Sequence, residues 1–468
     1  MPKNAVIAIA LVFFAVSFCF GNNDTLHTPV VPAVSDKPAV PDFTFWGRMT
    51  LGQVVSSGTE NGFDYDFQGE WLENIDGGIK VSRQISPRLL GRLNLGFTVN
   101  ASTVPQRNVN SVELTAKKIA PALLDASMLY SRNDIFMKND AFQIEFGYFP
   151  FKYNPQSTNL GEYLFRSNCY PSLIVSGFEN SIDKPKLGGV HLGYLCDAYG
   201  TLKQDLIVNT ELDIFPLHDI NLTYIVTYTP HPVFTIGAGV EFARLIAVDP
   251  SKTTPGLDTI AHPVVDQWVG YVKPGTTDTT LYTFRGTKVM GRATIDIKAA
   301  IESFAGDLNL FGSEDMKLYG EAAVLGVQNY PGWYEKISDR IPIMAGFNIP
   351  AFKVLDVFSV ELEYFKNPYW NSQEFIWKAQ SPVPYTGSAA GSNFLNWNDS
   401  LAKTNDDLKW SIYASKKINK VLRVSAQVAS DRTPRNWYTP GPPSFVKYTD
   451  MVPRSWDWYY MARLSYYF

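Results

Sequence analysis

Residues 288–298 set Lys288, Arg292, Thr294, Asp296 and Lys298 on one parity, against Val289, Ala293, Ile295 and Ile297 on the other. Residues 203–213 repeat the pattern, with Lys203, Asp205, Asn209, Glu211 and Asp213 opposite Leu206, Val208, Thr210 and Leu212. Successive side chains of a strand point to opposite faces, so each stretch predicts a strand with one charged and one apolar face. Charges at this density cannot line a dry core, because burying an unanswered charge is costly. The chemistry open to them is electrostatic: attracting, repelling or steering a solute inside a wet interior. Bond-making chemistry has no motif to rest on. There is no GxSxG, HExxH, CxxC or Gly-rich phosphate loop, and of the scattered histidines only His191 falls within a strand. The expectation is a non-enzyme without cofactor or metal.

The charges of inward parity are nearly balanced in sign. The basic ones include Arg48, Arg92, Arg292, Arg423 and Arg463, and the acidic ones Glu145, Asp296, Glu321, Glu361 and Glu363. A ring of one sign would set ion selectivity, and this census contains none. The connector FKYNPQSTNLGEYLFRSNCYPSLIVSGFENSIDKPK, 151–186, is long and unusually apolar for an exposed loop. Its middle is compatible with a short helix capped by Asn159, with Glu162 in a capping-box position. Leu164 and Phe165 would then pack on a wall, leaving Glu162 and Arg166 to line an opening or to pair at i,i+4. Trp370, Trp377 and Trp397 lie in the long connector 367–406, where aromatic faces could stack on sugar rings.

The elements that must position these residues follow from the ends of the chain. Residues 1–21 carry Lys3, an uncharged apolar run from Ala5 to Phe20, and Cys19 and Gly21 ahead of a cut, the layout of a signal peptide. Residues 22–42 form a Pro-rich leader. No later run is long and apolar enough for a membrane helix, so a membrane location would require a closed barrel. From residue 43 to 468 the chain is a procession of about sixteen alternating segments, beginning near 43–55, including 288–301 and ending at 455–468. Connectors after even segments are mostly short and those after odd segments mostly long. That segregation predicts an antiparallel barrel with turns on one rim and loops on the other. Aromatics at 14% against 18% charged residues agree with this, and a mean hydropathy of −0.10 is what cancelling faces produce. A net charge of −4 does not suggest nucleic acid as a partner. Cys196 shares parity with Val190, Leu192 and Tyr194 and is expected to face outward, so Cys169 and Cys196 read as two free thiols.

With its signal peptide, segment count, loop parity and terminal strand WDWYYMARLSYYF, the chain resembles Gram-negative outer-membrane porins. The enterobacterial Pro-Glu-Phe-Gly-Gly constriction signature is absent. The resemblance implies an outer-membrane barrel contacting lipid and lipopolysaccharide, with 151–186 folded inward to narrow the lumen. It also implies that Phe468 is the signal for the barrel-assembly machinery, that homotrimers form, and that small hydrophilic solutes or ions diffuse through. The competing expectation is a surface glycan-binding or adhesin-type protein with a narrow or plugged barrel, using the aromatic loops.

Overall fold

A strand with one apolar and one polar face leaves backbone donors and acceptors bare at any sheet edge, and closure is the arrangement that removes every edge. The computed structural model describes residues 40–58, 67–100, 119–170, 173–177, 185–197, 200–210, 219–246, 268–272, 279–329, 334–369, 371, 406–419, 421–438 and 446–468. The signal segment 1–21 and nearly all of the leader 22–42 lie outside them.

The chain starts with β1 (Asp42–Ser56), β2 (Trp71–Ser86), β3 (Leu89–Asn100) and β4 (Ile119–Asn133). It continues through β5 (Ala141–Pro150), β6 (Lys186–Asp197), β7 (Thr201–Thr210), β8 (Ile220–His231) and β9 (Phe234–Ile246). A separate hairpin, β10 (Trp268–Val272) with β11 (Thr279–Thr283), precedes β12 (Gly286–Asp296) and helix α1 (Ile297–Ala305). Then come β13 (Lys317–Leu325), β14 (Ile343–Asn348), β15 (Val357–Tyr364), β16 (Leu408–Lys417) and β17 (Leu422–Ser430). A second hairpin, β18 (Pro434–Tyr438) with β19 (Val446–Asp450), precedes the terminal β20 (Trp458–Tyr467). Apart from the two hairpins, the strands form one closed antiparallel barrel of sixteen, each paired with its neighbour in sequence and β20 with β1.

Closure is written in the terminal residues. Thr50 of β1 sits opposite Arg463 of β20, and Phe45 and Phe468 exchange backbone hydrogen bonds of 2.7 and 2.9 Å. Their rings stack at 5.6 Å, with Tyr466 stacked on Phe468 at 5.9 Å. Parity holds around the barrel. On β1, Phe43, Phe45, Met49 and Leu51 are exposed on the outer face while Thr50 and Val54 are buried inside. On β20, Tyr460, Leu464 and Tyr466 are outside while Tyr459, Met461 and Arg463 are inside.

Two expectations are corrected. The segment expected as a strand over 288–301 ends at Asp296, because the Asp296 carboxylate accepts the Ala299 N–H at 2.8 Å and caps α1. Asp296 is therefore a helix cap rather than a lumen-wall charge, and Lys298 sits on the helix beside Glu302 at 3.6 Å. Cys196, expected to face outward, is buried, and both cysteines are free.

Replacing Phe468 with alanine removes the stacked rings at the seam while leaving the backbone bonds. The barrel should lose about 1 kcal/mol, seen as a lower midpoint in urea unfolding from lipid vesicles. An unchanged midpoint would show that the seam rests on backbone pairing alone.

Candidate functional site

The inward connector begins where β5 ends. Phe149, Phe151, Tyr153, Leu160, Tyr163, Leu164 and Phe165 form one buried cluster with wall residues that include Ile207, Ile225, Met290, Tyr319 and Phe365. A fully buried side chain of this size contributes about 1.5–3 kcal/mol, so the apolar composition of 151–165 draws it off the rim and into the barrel. No helix forms there. Gly161 and Glu162 both take left-handed backbone (φ +86° and +63°), which turns the chain sharply and ends any helical run. A Cβ on Gly161 would also meet Met344 Cε at 2.7 Å.

That turn aims backbone N–H groups at the wall. Glu321 of β13 accepts from the N–H of Glu162 at 3.2 Å and of Tyr163 at 3.0 Å. It also accepts from Tyr153 Oη at 2.6 Å and Asn154 Nδ2 at 3.0 Å. Glu361 of β15 accepts three consecutive N–H groups, from Thr158, Asn159 and Leu160, at 2.5, 2.9 and 2.9 Å. Tyr319 Oη adds a fourth bond at 2.9 Å. Successive N–H groups curved around a carboxylate make an anion nest. Glu363 accepts from Tyr163 Oη at 3.1 Å and from Arg432 Nε at 2.7 Å, and Arg432 also reaches Asp406 at 2.9 Å. Burial alone would lower the Arg432 pKa, but Asp406 and Glu363 outweigh it and keep the guanidinium firmly charged. Asn159 Nδ2 donates to Asp431 at 2.6 Å, and Lys288 Nζ donates to the Ser167 carbonyl at 2.8 Å while holding Glu241 at 2.7 Å.

Glu162 and Arg166, expected to line an opening, do not. Both are buried, at 0% and 2% exposure. Glu162 accepts the N–H groups of Tyr153 and Asn154 at 3.3 and 2.5 Å, and Arg166 Nη1 donates to the Asn159 carbonyl at 3.2 Å. Burial first, then the Glu321 charge, push the Glu162 carboxyl up to about 7. Burial likewise pushes the Cys169 thiol up to about 12.

The open side of the lumen lies between the loop's tip and β1–β4. A cleft of about 890 Å³ runs there, lined by Lys152, Gln156 and Thr158 of the loop and by Trp46, Arg48, Lys80, Asn94 and Asp125 of the wall. Tyr413 of β16, Arg423 of β17 and Ser465 of β20 complete it. Of the remaining wall positions, Arg48 pairs with Asp76 at 2.8 Å, and Arg92 sits between Asp125, at 3.8 Å, and Glu145. Arg423 donates to Tyr413 Oη at 2.6 Å, Arg463 to Thr50 Oγ1 at 3.1 Å, and Arg292 to Thr227 Oγ1 at 2.9 Å. His191 is buried against Asp205 at 2.8 Å. Trp370, Trp377 and Trp397 lie outside the described residues.

Sequence reasoning missed Asp431, Arg432 and Asp406, which hold the loop and its neighbours from connectors. Their only linear signal is a run of polar residues next to a strand, after β17 for Asp431 and Arg432 and before β16 for Asp406, which any solvated loop also shows.

No family model matches the chain, and no curated protein does. Among solved structures it is similar to a triple mutant of Rhodopseudomonas blastica porin, at 7% identity and TM-score 0.39 over 92% of this chain and 100% of that one. A double mutant of the same porin gives 7% identity and TM-score 0.40 with the same coverage. A structure described as "Asymmetric conductivity of engineered proteins" gives 7% and 0.41, again covering 92% of this chain and 100% of that one. At such TM-scores the likeness adds nothing to what the chain's own sixteen paired strands establish. The architecture is a closed antiparallel barrel of sixteen strands.

A carboxyl raised in the folded state stabilises most when protonated, so Glu162 favours the seated loop at low pH and loses that contribution as pH rises through about 7. Loop opening, read as amide exchange at 158–163 corrected for its intrinsic pH dependence, should increase about tenfold between pH 6 and pH 8. Glu162→Gln should flatten that dependence. A dependence retained in the variant would assign it to another group.

Proposed function

We propose that this chain is an outer-membrane channel through which small hydrophilic solutes diffuse, filtered where the inward loop faces the β1–β4 wall. The observation that carries the reading is the polar cleft of about 890 Å³ beside a seated loop. A barrel serving only as an anchor has no need of a wet passage with charged walls. The outer face supports the membrane setting: large apolar side chains stand exposed on strand after strand, among them Leu51, Leu95, Val289, Ile412 and Leu464. Outer-membrane lipid and lipopolysaccharide would cover that face. In this setting the rim of long connectors faces outward and the rim of short turns faces the periplasm.

The mechanism requires no moving part. Solutes too large for the cleft are excluded by the loop, and smaller ones keep much of their hydration against Thr44, Asn94 and Thr98. The loop must stay seated for the filter to hold, and its acidic hooks provide this.

Refolded protein in a planar bilayer with potassium chloride should show stable discrete current steps. Glu361→Ala removes the acceptor for three loop N–H groups, weakening the seat by about 3 kcal/mol or more, so its steps should be larger and should flicker. Silence from wild-type protein whose fold is verified by heat-modifiable gel migration would overturn the channel reading.

A further inference from the structure

We infer that the passage favours small anions, carboxylates and phosphates among them, because the seated loop covers the acidic wall of the barrel and leaves a net cationic face open. The inference rests on the channel reading above. Glu321, Glu361 and Glu363 are exposed by only 3, 0 and 0%. Loop N–H groups, tyrosine hydroxyls and Arg432 occupy their oxygens. A solute in the cleft therefore cannot touch these carboxylates, and their field reaches it only through the loop that covers them.

The cleft itself is faced by Arg48, Lys80, Lys152, Lys186 and Arg423, and by Asp42, Asp76, Asp125 and Glu314. Three of those four acids are already answered. Asp76 is held by Arg48 at 2.8 Å and Glu314 by Lys317 at 2.9 Å, while Asp125 takes the Ser127 hydroxyl at 2.6 Å with Arg92 at 3.8 Å. Two of the answering cations, Arg92 and Lys317, stand outside the lining, so they offset its acids without using up its own cations, although Arg92 is shared with Glu145. Lys80 on β2 and Lys186 at the start of β6 make no side-chain ion pair or hydrogen bond among the described residues; of the four acids only Asp42, at the short-turn end of β1, is in that state. The local balance is thus positive in a chain whose net charge is −4. Field lines between low-dielectric walls concentrate such an excess on whatever passes.

The test is the reversal potential of wild-type channels under a potassium chloride gradient, followed by addition of inorganic phosphate. Chloride should permeate about threefold better than potassium, and phosphate should reduce the chloride current by competing for the same lysines. Lys80→Gln with Lys186→Gln should bring the permeability ratio towards unity and abolish the phosphate effect. Replacing 152–184 by a short Gly-Ser link, with barrel folding checked by gel migration, uncovers Glu321, Glu361 and Glu363 and should turn the preference to cations. Channels that favour potassium in the wild type, or a ratio indifferent to the double lysine variant, would overturn the inference while leaving the channel reading intact. The absence of any channel would overturn the channel reading, and the inference with it.

Discussion

A carboxylate on the inner wall of a closed barrel has to be met by water or by donors, and at Glu321 and Glu361 the donors are the backbone N–H groups of the chain's own inward loop. Everything in the lumen follows from that pairing. Two left-handed residues, Gly161 and Glu162, bend the loop so that its N–H groups converge on the wall. Because three loop N–H groups on one carboxylate fix position as well as supply energy, the loop has one seat rather than many. The space it leaves is the polar cleft beside β1–β4.

The seat is a combination of two forces that neither alone would supply. Apolar side chains such as Leu160, Leu164 and Phe165 bring the loop inside, but a greasy cluster is indifferent to small sliding displacements. The carboxylates are directional and set the register, yet without the cluster around them their desolvation would go unrecovered. On the open side the same reasoning runs in reverse. Arg48 and Asp76 answer each other within the wall, need nothing from a loop, and can remain beside water.

Much of the architecture was legible in the order of residues. Alternation at period 2 located the strands, because each strand of the barrel has an apolar outer face and a polar or mixed inner face. Connector lengths located the two rims. The strand expected at 288–301 was overrun because Ile295 and Ile297 continue the alternation, and only the cap made by Asp296 stops it. The apolar content of the loop was legible and its inward folding was what the resemblance to porins implied, whereas the helix expected in it failed, since a capping pattern does not reveal a glycine turn two residues on. Glu162 and Arg166 looked like lining charges, as any charged pair in such a loop would, and they proved to be part of the seat.

The sequence by itself determined the closed barrel, its two faces and the apolar character of the long connector after the fifth strand, because periodicity and hydrophobicity act along the chain and can be read there. Only the tertiary structure decided which charges face the open cleft and which are spent on the fold. Glu361 finds Thr158 across 203 positions of sequence, and Arg432 finds Glu363 across 69. Contacts of that span are set by which strands lie side by side once the barrel closes. Inward parity marks a charge as facing the lumen, but whether a loop then covers it depends on three-dimensional proximity, to which linear spacing is blind.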